Sequence, residues 1–429
     1  MKGRDRAFVM PARGRPGLKP REVGLLPIAR TAGFSQYYCP GSGKDQNEGE
    51  SIRPSPSLQM KDLPAAAEGS LMKLAWVWAA VLLVLPWGAA SAQGLQHELL
   101  VFGAAEIART DGVDLNETDI DAEKIAADIL FSLQHDSFKV FGEYLLTNHE
   151  ADLERFQVGW EPSDRSVLWF GRFHQASSVW NHEHHHGQFL QTSVTRPASE
   201  EWEDEGGIIP QHFVGALWES SWQAGEGHGL RTAFGGGIAP VITAGGMEPL
   251  DLLNPDFSRH KFGAQARIAW LPRELEDTGV GLLYARNEIA WRGNTPSAVG
   301  NFDHIDQTVI GAYGRFEAQD WKLQAAGYEV TNSFDGGTSA KRQSFLAAYL
   351  QVERSLPHGV ELFARREDTF HADAAEYLRL FPEYVSDRST LGTRWQFARS
   401  HALTLEISDS ESHAHHYREF RLQWSAALL

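Results

Sequence analysis

Apolar and polar residues alternate with a period of two along most of the chain after residue 93. Ile125, Ile129 and Leu133 fall on one face of an extended segment, while Asp128 and Ser132 fall on the other. The same scheme recurs in many later segments. Alternation of this kind predicts β-strands with one apolar face and one polar face.

We predict sixteen strands, and their connections alternate in length. Even-numbered connections are mostly tight turns, and odd-numbered ones are mostly long and polar. An even strand number with short turns at one end and long loops at the other predicts an all-β transmembrane antiparallel barrel with periplasmic turns and external loops, although counts of fourteen or eighteen stay open. A soluble sandwich has no reason to sort its loops in this way. The predicted strands lie near 98–108, 124–133, 136–147, 152–160, 165–173, 212–222, 229–239, 259–271, 278–291, 305–317, 320–331, 342–354, 358–367, 387–398, 401–409 and 416–426.

The segment 72–92 has the pattern of a secretory signal peptide. Lys73 precedes a short apolar run, and Ala90-Ser91-Ala92 forms a small-residue cleavage site. The apolar run is shorter than the ~20 residues that a spanning helix needs. We therefore expect an exported barrel of residues 93–429 that begins at Gln93. Residues 1–71 are expected to be an overlong start or a disordered extension.

Charge and cysteine content narrow the function classes. Residues 93–429 hold 27 Lys+Arg against 49 Asp+Glu, which argues against nucleic acid as a partner. The single cysteine, Cys39, precedes the signal peptide, so the predicted barrel has no disulfide. Its stability must come from closure of the sheet.

The alternating strands, the loop order and the block from Trp169 to Gly215 resemble the sixteen-stranded bacterial outer-membrane porin superfamily. The block reads WFGRFH, then QTSVTRP, then EDEGGIIP. The resemblance implies an outer-membrane location, a lipid-bilayer setting, passage of small hydrophilic solutes or ions, and a homotrimer. It also implies that the loop after the fifth strand folds inward and constricts the pore. One departure is the C-terminus, which ends in Leu428-Leu429 rather than in an aromatic residue.

That long loop, residues 174–211, concentrates histidines and carboxylates. Imidazole and carboxylate groups bind divalent zinc, copper or nickel, so we expect a metal site on this loop as one interpretation. The other interpretation is a solvated polar loop, and histidines that charge near pH 6.5 could instead make the constriction pH-sensitive. No cofactor is required for passage of solutes. The candidate metal ligands are His174, His182, His184, His185, His186, Glu203 and Glu205.

The run from His182 to His186 also satisfies H-E-x-x-H, the zinc-protease motif in which Glu183 would act as base and Glu205 would be a third ligand. That motif needs a stable helix, and Ser177 to Asn181 before it and Gly187 after it are poor helix formers. A zinc hydrolase is therefore the least favoured class, and we expect no enzyme activity.

The polar faces of the strands are expected to line the lumen and to set a transverse field for charged solutes. The sequence thus favours a passive diffusion channel with a His/acid-rich constriction. The alternative is a non-conducting barrel that captures divalent metal or a partner through its external loops. The candidate pore-lining residues are Lys139, Glu143, Arg172, Arg231, Arg267, Lys322, Arg365, Arg394, Glu406 and Arg421.

Overall fold

The computed structural model describes residues 95–112, 120–148, 151–176, 178–184, 187–225, 227–244, 246–253, 255–272, 278–293, 299–336, 342–413 and 415–428. The predicted extension and signal peptide, residues 1–71 and 72–92, lie outside the described residues. In the part of the chain that is described, no helix is long and apolar enough to span a membrane.

Sixteen strands form one closed antiparallel barrel, as the alternation predicts. Each strand pairs with the next barrel strand along the chain, and the last strand pairs back with the first. The barrel strands are β1 (Leu95–Gly112), β2 (Ile120–His135), β3 (Phe138–Thr147), β4 (Ala151–Ser163), β5 (Ser166–His174), β6 (His212–Gln223), β7 (Gly229–Ile238), β10 (Phe262–Leu271), β11 (Gly279–Trp291), β12 (His304–Ala318), β13 (Trp321–Asp335), β14 (Arg342–Leu356), β15 (Val360–Phe370), β16 (Val385–Ala398), β17 (His401–Ser412) and β18 (His416–Ala427). Closure leaves none of these sixteen described strands at a free sheet edge, as a lipid setting requires.

The connections contain structure that the alternation does not predict. A hairpin of β8 (Val241–Thr243) and β9 (Gly246–Glu248) lies between β7 and β10, and β8 pairs in parallel with β11. The β5–β6 connection contains α1 (Val179–His184) and the 3₁₀ turns η1 (Gln188–Leu190), η2 (Ala198–Glu200) and η3 (Glu203–Glu205). Two more 3₁₀ turns, η6 (Ala372–Ala374) and η7 (Glu376–Leu380), lie between β15 and β16. The remaining turns are η4 (Phe257–Arg259) and η5 (Pro357–Gly359).

The burial pattern is inverted relative to a soluble protein. Large apolar side chains such as Leu391, Leu282 and Ile125 are exposed on the outer face, whereas charged side chains such as Glu143 and Arg365 are buried inside. An apolar outer band around a polar interior is the pattern of a barrel that faces lipid.

An apolar core fills part of the interior. Inward side chains of β11–β14, including Ile305 and Phe345, pack against Trp180 and Ile208 of the β5–β6 connection and against Tyr377 of η7. The sequence expectation of a polar lumen wall therefore does not describe this side of the barrel. Strict alternation cannot reveal it, because these strands carry apolar residues on both faces.

Candidate pore site: the inner loop and the wall it contacts

The β5–β6 connection, residues 175–211 and called here the inner loop, crosses the interior of the barrel. It leaves β5 beside Gln265 of β10, whose side-chain oxygen accepts a hydrogen bond from the backbone N–H of Ala176. Further along, η1 packs against β1 and β18 on another part of the wall. The loop then returns to β6 at His212. Its described residues from Gln191 to Glu200 are all buried.

Wall carboxylates hold the loop backbone by accepting its N–H groups. Glu406 of β17 accepts from the N–H of Val194 at 2.7 Å and from the N–H and hydroxyl of Thr195. Glu367 of β15 accepts from the N–H of Ala198 at 2.6 Å. A buried carboxylate is stabilised by such donors, and the loop's amides gain partners that they would otherwise lack inside the barrel.

Wall arginines bind the loop's carbonyl groups. Arg365 of β15 donates to the carbonyl of Thr195 at 2.8 Å and to the Ser193 hydroxyl at 2.9 Å. Arg388 of β16 donates to the Arg196 carbonyl, and Arg394 donates to the Phe189 carbonyl at 2.7 Å. Three wall arginines and two wall carboxylates therefore fix residues 189–198 to strands β15–β17.

Glu367 also joins the arginines to each other. Its Oε1 accepts from Arg365 Nε at 2.8 Å and from Arg388 Nε at 2.7 Å. Burial alone would destabilise these charges, but each has an opposite charge and hydrogen bonds within reach. Removal of Glu367 would take from two buried arginines the carboxylate that they share.

The acidic run of the inner loop, residues 200–205, supplies carboxylates that attach the loop within the fold. Glu200 accepts hydrogen bonds from Ser178, from the backbone of Trp180 and from the Tyr328 hydroxyl at 2.6 Å. Burial raises the pKa of Glu200, although these hydrogen bonds oppose the shift. Arg196 lies 3.6 Å from Glu201, an ion pair within the loop.

Glu203 ties the end of the inner loop to β6. Its carboxylate accepts the N–H groups of Gln211 and His212, and it lies 2.9 Å from His212 Nδ1. Burial would raise the pKa of Glu203, but the charge and hydrogen bonds of His212 outweigh burial and lower it. The other ring nitrogen of His212 lies 3.3 Å from Glu154 of β4. Glu203 is thus engaged in a structural pair.

The candidate metal ligands in and next to the inner loop do not converge among the described residues. His174 packs against the rings of Trp202 and His212, each with centroids 4.8 Å away. Glu205 lies 3.9 Å from Lys124. His182 and His184 both lie on α1, whereas His185 and His186 lie outside the described residues.

The helix of the inner loop corrects one sequence expectation. Residues 179–184 are helical, although this stretch contains poor helix formers. Its burial explains the difference, since Val179 and Trp180 belong to the interior apolar core. The helix is described as far as His184, and the second histidine of the H-E-x-x-H match, His186, lies outside the described residues.

Basic side chains of the wall, and Arg196 of the inner loop, lie close enough to α1 to act on its two histidines. Burial first, and then the charges of Arg267, Arg231 and Arg155, lower the pKa of His182 well below its ordinary value. Burial, together with Arg315, Arg196 and Lys322, does the same for His184. Both imidazoles are therefore neutral at pH 7, and a charge change near pH 6.5 is not expected of them in the docked loop.

Other predicted pore-lining residues lie on the inner wall in ion pairs. Arg421 of β18 bridges Glu106 at 2.7 Å and Glu419 at 2.8 Å. Glu143 pairs with Arg155. Arg172 lies 3.7 Å from Glu154. These charges belong to the wall away from the β11–β14 apolar core.

Toward the short-turn end, the inner wall keeps charged side chains in contact with solvent. Lys139 is 2.9 Å from Glu161, and its side chain is 28% exposed. Lys322 is 3.1 Å from Glu361, and its side chain is 29% exposed. Water therefore reaches the interior surface near these pairs.

Sequence reasoning missed a second inward segment, residues 371–384, called here the lid loop. Its Tyr377 hydroxyl donates to the carbonyl of Ile208 in the inner loop at 2.7 Å. Gln307 of β12 donates to both of these oxygens, at 3.1 Å and 3.0 Å. The run YLRLF at 377–381 is apolar for an external loop, and this was the available signal.

No protein-family model matches the sequence, and no curated protein matches it. Solved structures share the fold at low sequence identity. The anion-selective porin of Comamonas acidovorans has a TM-score of 0.51 and 11% identity, covering 78% of this chain and 100% of that chain. The outer membrane channel DcaP of Acinetobacter baumannii has a TM-score of 0.50 and 10% identity, covering 79% of this chain and 99% of that chain.

Salmonella typhi OmpF, solved in complex with daunomycin, has a TM-score of 0.50 and 12% identity, covering 77% of this chain and 98% of that chain. All three match nearly their whole length to the barrel. The chain therefore has the fold of the bacterial outer-membrane porins, a closed antiparallel barrel of sixteen strands.

Proposed function

We propose that this protein is a passive outer-membrane channel for small hydrophilic solutes or ions, and that the inner loop constricts it. The observation that carries the proposal is the polar inner wall crossed by a loop pinned to β15–β17. Charged pairs such as Lys139–Glu161 and Lys322–Glu361 stay partly exposed on the inner wall toward the short-turn end. A wetted, charged interior supports passage of hydrated solutes.

The proposal includes no catalytic step. Glu203, one carboxylate of the acidic run, is engaged by His212, and Glu200 is engaged by Ser178 and Tyr328. We propose that the run shapes the loop, and that no metal cofactor is needed for passage. Hydrolysis by the purified barrel that is lost in Glu183→Gln would contradict this part.

One observation favours a second candidate function. The inner loop and the lid loop meet at Ile208 and Tyr377, and with β11–β14 they form a continuous apolar core. If this apolar core closes the interior to solutes, the protein is a non-conducting surface barrel that captures divalent metal or a partner through its external loops.

Planar-bilayer recording separates the two candidates. Purified protein in its folded barrel form should produce discrete conductance steps if it is a channel. Heat-unfolded protein at the same concentration is the control, since only the closed barrel can conduct. Absence of steps from the folded protein would contradict the channel and support the capture function.

Assembly as a homotrimer is a further part of the proposal and rests on the porin resemblance alone. Light scattering of the detergent-solubilised barrel, corrected for bound detergent, should give three chains per particle. A single-chain mass would contradict it.

A further inference from the structure

The outward face of the barrel, at the loop end of β12 and β13, carries a cluster of metal-ligating side chains. Ile305 and Gln307 are buried and point inward, so His304 and Asp306, which alternate with them, point outward. On β13, Phe334 is buried and inward, so Asp335 is outward as well. The cluster therefore faces away from the pore and is separate from the inner loop.

Strand pairing fixes the geometry of the cluster. His304 and Asp335 are opposite each other on the antiparallel pair, and Asp306 follows His304 on the same face. His304 Nε2 lies 3.6 Å from Asp335 Oδ2. One donor atom from each of His304, Asp306 and Asp335 lies within 4.8 Å of the other two. Among the described residues, this is the one group of three such donors.

A backbone contact orients the third donor. The N–H of Gly336 donates to Asp335 Oδ1 at 2.8 Å, which leaves Oδ2 directed toward His304. Gly336 has φ +80°, a conformation that glycine adopts without strain. Ligand carboxylates in metal sites are commonly held by hydrogen bonds of this kind.

We propose that His304, Asp306 and Asp335 form a binding site for a divalent first-row transition-metal ion such as zinc, nickel or copper. One imidazole nitrogen and two carboxylate oxygens suit these ions better than calcium or magnesium, which prefer oxygen ligands alone. Three protein donors leave coordination positions open to water or to an oxyanion. Glu288 of β11 lies opposite Asp306 and adds negative charge beside the site.

A second histidine–aspartate pair on the same outer surface provides a contrast. His416 Nε2 lies 3.5 Å from Asp409 Oδ2, close to the spacing of the His304–Asp335 pair. There, however, Arg418 Nε already binds Asp409 at 2.9 Å. A guanidinium beside the carboxylate repels a metal cation, so this second pair should not bind one.

The test is calorimetric titration of zinc into the full barrel, purified in detergent. To remove background from the histidine-rich segment, His182, His184, His185 and His186 are first replaced by alanine. This parent should bind one zinc ion per chain. Loss of an outer-shell partner alone weakens metal sites by about 10–100-fold, so His304→Ala and Asp306→Asn should each weaken binding at least about tenfold.

His416→Ala is the matched control and should bind zinc like the parent. Thermal unfolding of each variant checks that the barrel is intact. The proposal is overturned if the parent shows no saturable zinc site, if His304→Ala binds like the parent, or if His416→Ala weakens binding equally. Because the titration does not measure conductance, a protein that proves non-conducting would still be expected to bind zinc at this site.

Discussion

Glu406→Gln tests how the wall holds the inner loop. The Glu406 carboxylate accepts from the N–H of Val194, the N–H of Thr195 and the hydroxyl of Thr195. Hydrogen bonds to a charged acceptor contribute about 1.5–3 kcal/mol each, against about 0.5–1.5 kcal/mol for a neutral one. The substitution keeps the shape and one acceptor oxygen. It should therefore cost roughly 1 kcal/mol per bond, or about 3 kcal/mol in total.

A loss of about 3 kcal/mol raises the population of the open loop about 100-fold. Hydrogen exchange read by mass spectrometry should show this loss of protection in peptides covering residues 192–198. Protection of the barrel strands should be unchanged, because the opening is local. Glu329→Gln is the matched control, since Glu329 is exposed on the outer face. Unchanged protection of 192–198, or an equal loss throughout the barrel, would refute the anchoring.

Three further outcomes are expected. Leu391→Arg places a charge on an outer-face position that is 66% exposed. For a position near the bilayer midplane, the substitution should destabilise the barrel in lipid vesicles by about 2–4 kcal/mol, and an unchanged urea midpoint would argue against lipid contact at residue 391. Burial lowers the pKa values of His182 and His184, so these imidazoles take up protons more readily in the undocked loop, and docking should weaken as pH falls below about 6.5. Hydrogen exchange in residues 178–184 measures this, and the pH dependence of docking should vanish when both histidines are replaced by glutamine. Tyr377→Phe removes the hydrogen bond to Ile208 and should loosen the lid loop by about 1 kcal/mol, read as faster exchange in 371–384 and not in 95–112.

The barrel could be predicted from the sequence because its determinants are local. A strand that faces lipid on one side must alternate, and a closed barrel sorts its connections by length. The predicted strand 416–426 and the observed His416–Ala427 differ by one residue. The first strand is longer than predicted, Leu95–Gly112 instead of 98–108, because its ends carry polar residues that interrupt the alternation.

The inner loop was predicted by position and composition, but its contacts were not. Glu406 meets Val194 across more than two hundred residues of sequence, and no local pattern encodes such a pairing. The histidine cluster suggested a metal site on the inner loop. The three donors that do converge among the described residues are instead brought together by the β12–β13 register. Such a site needs the pairing partner of each residue, which the spacing of one segment cannot supply.

The central claim is tested most directly by single-channel conductance. The protein is compared with a variant whose inner loop is shortened. Replacing residues 178–205 with a short glycine–serine linker removes the loop from the interior and leaves the sixteen barrel strands in place. If the inner loop constricts a channel, the variant should conduct in clearly larger steps than the parent at the same salt concentration. Equal steps from the two proteins would contradict a constricting role, and no steps from either would contradict the channel itself.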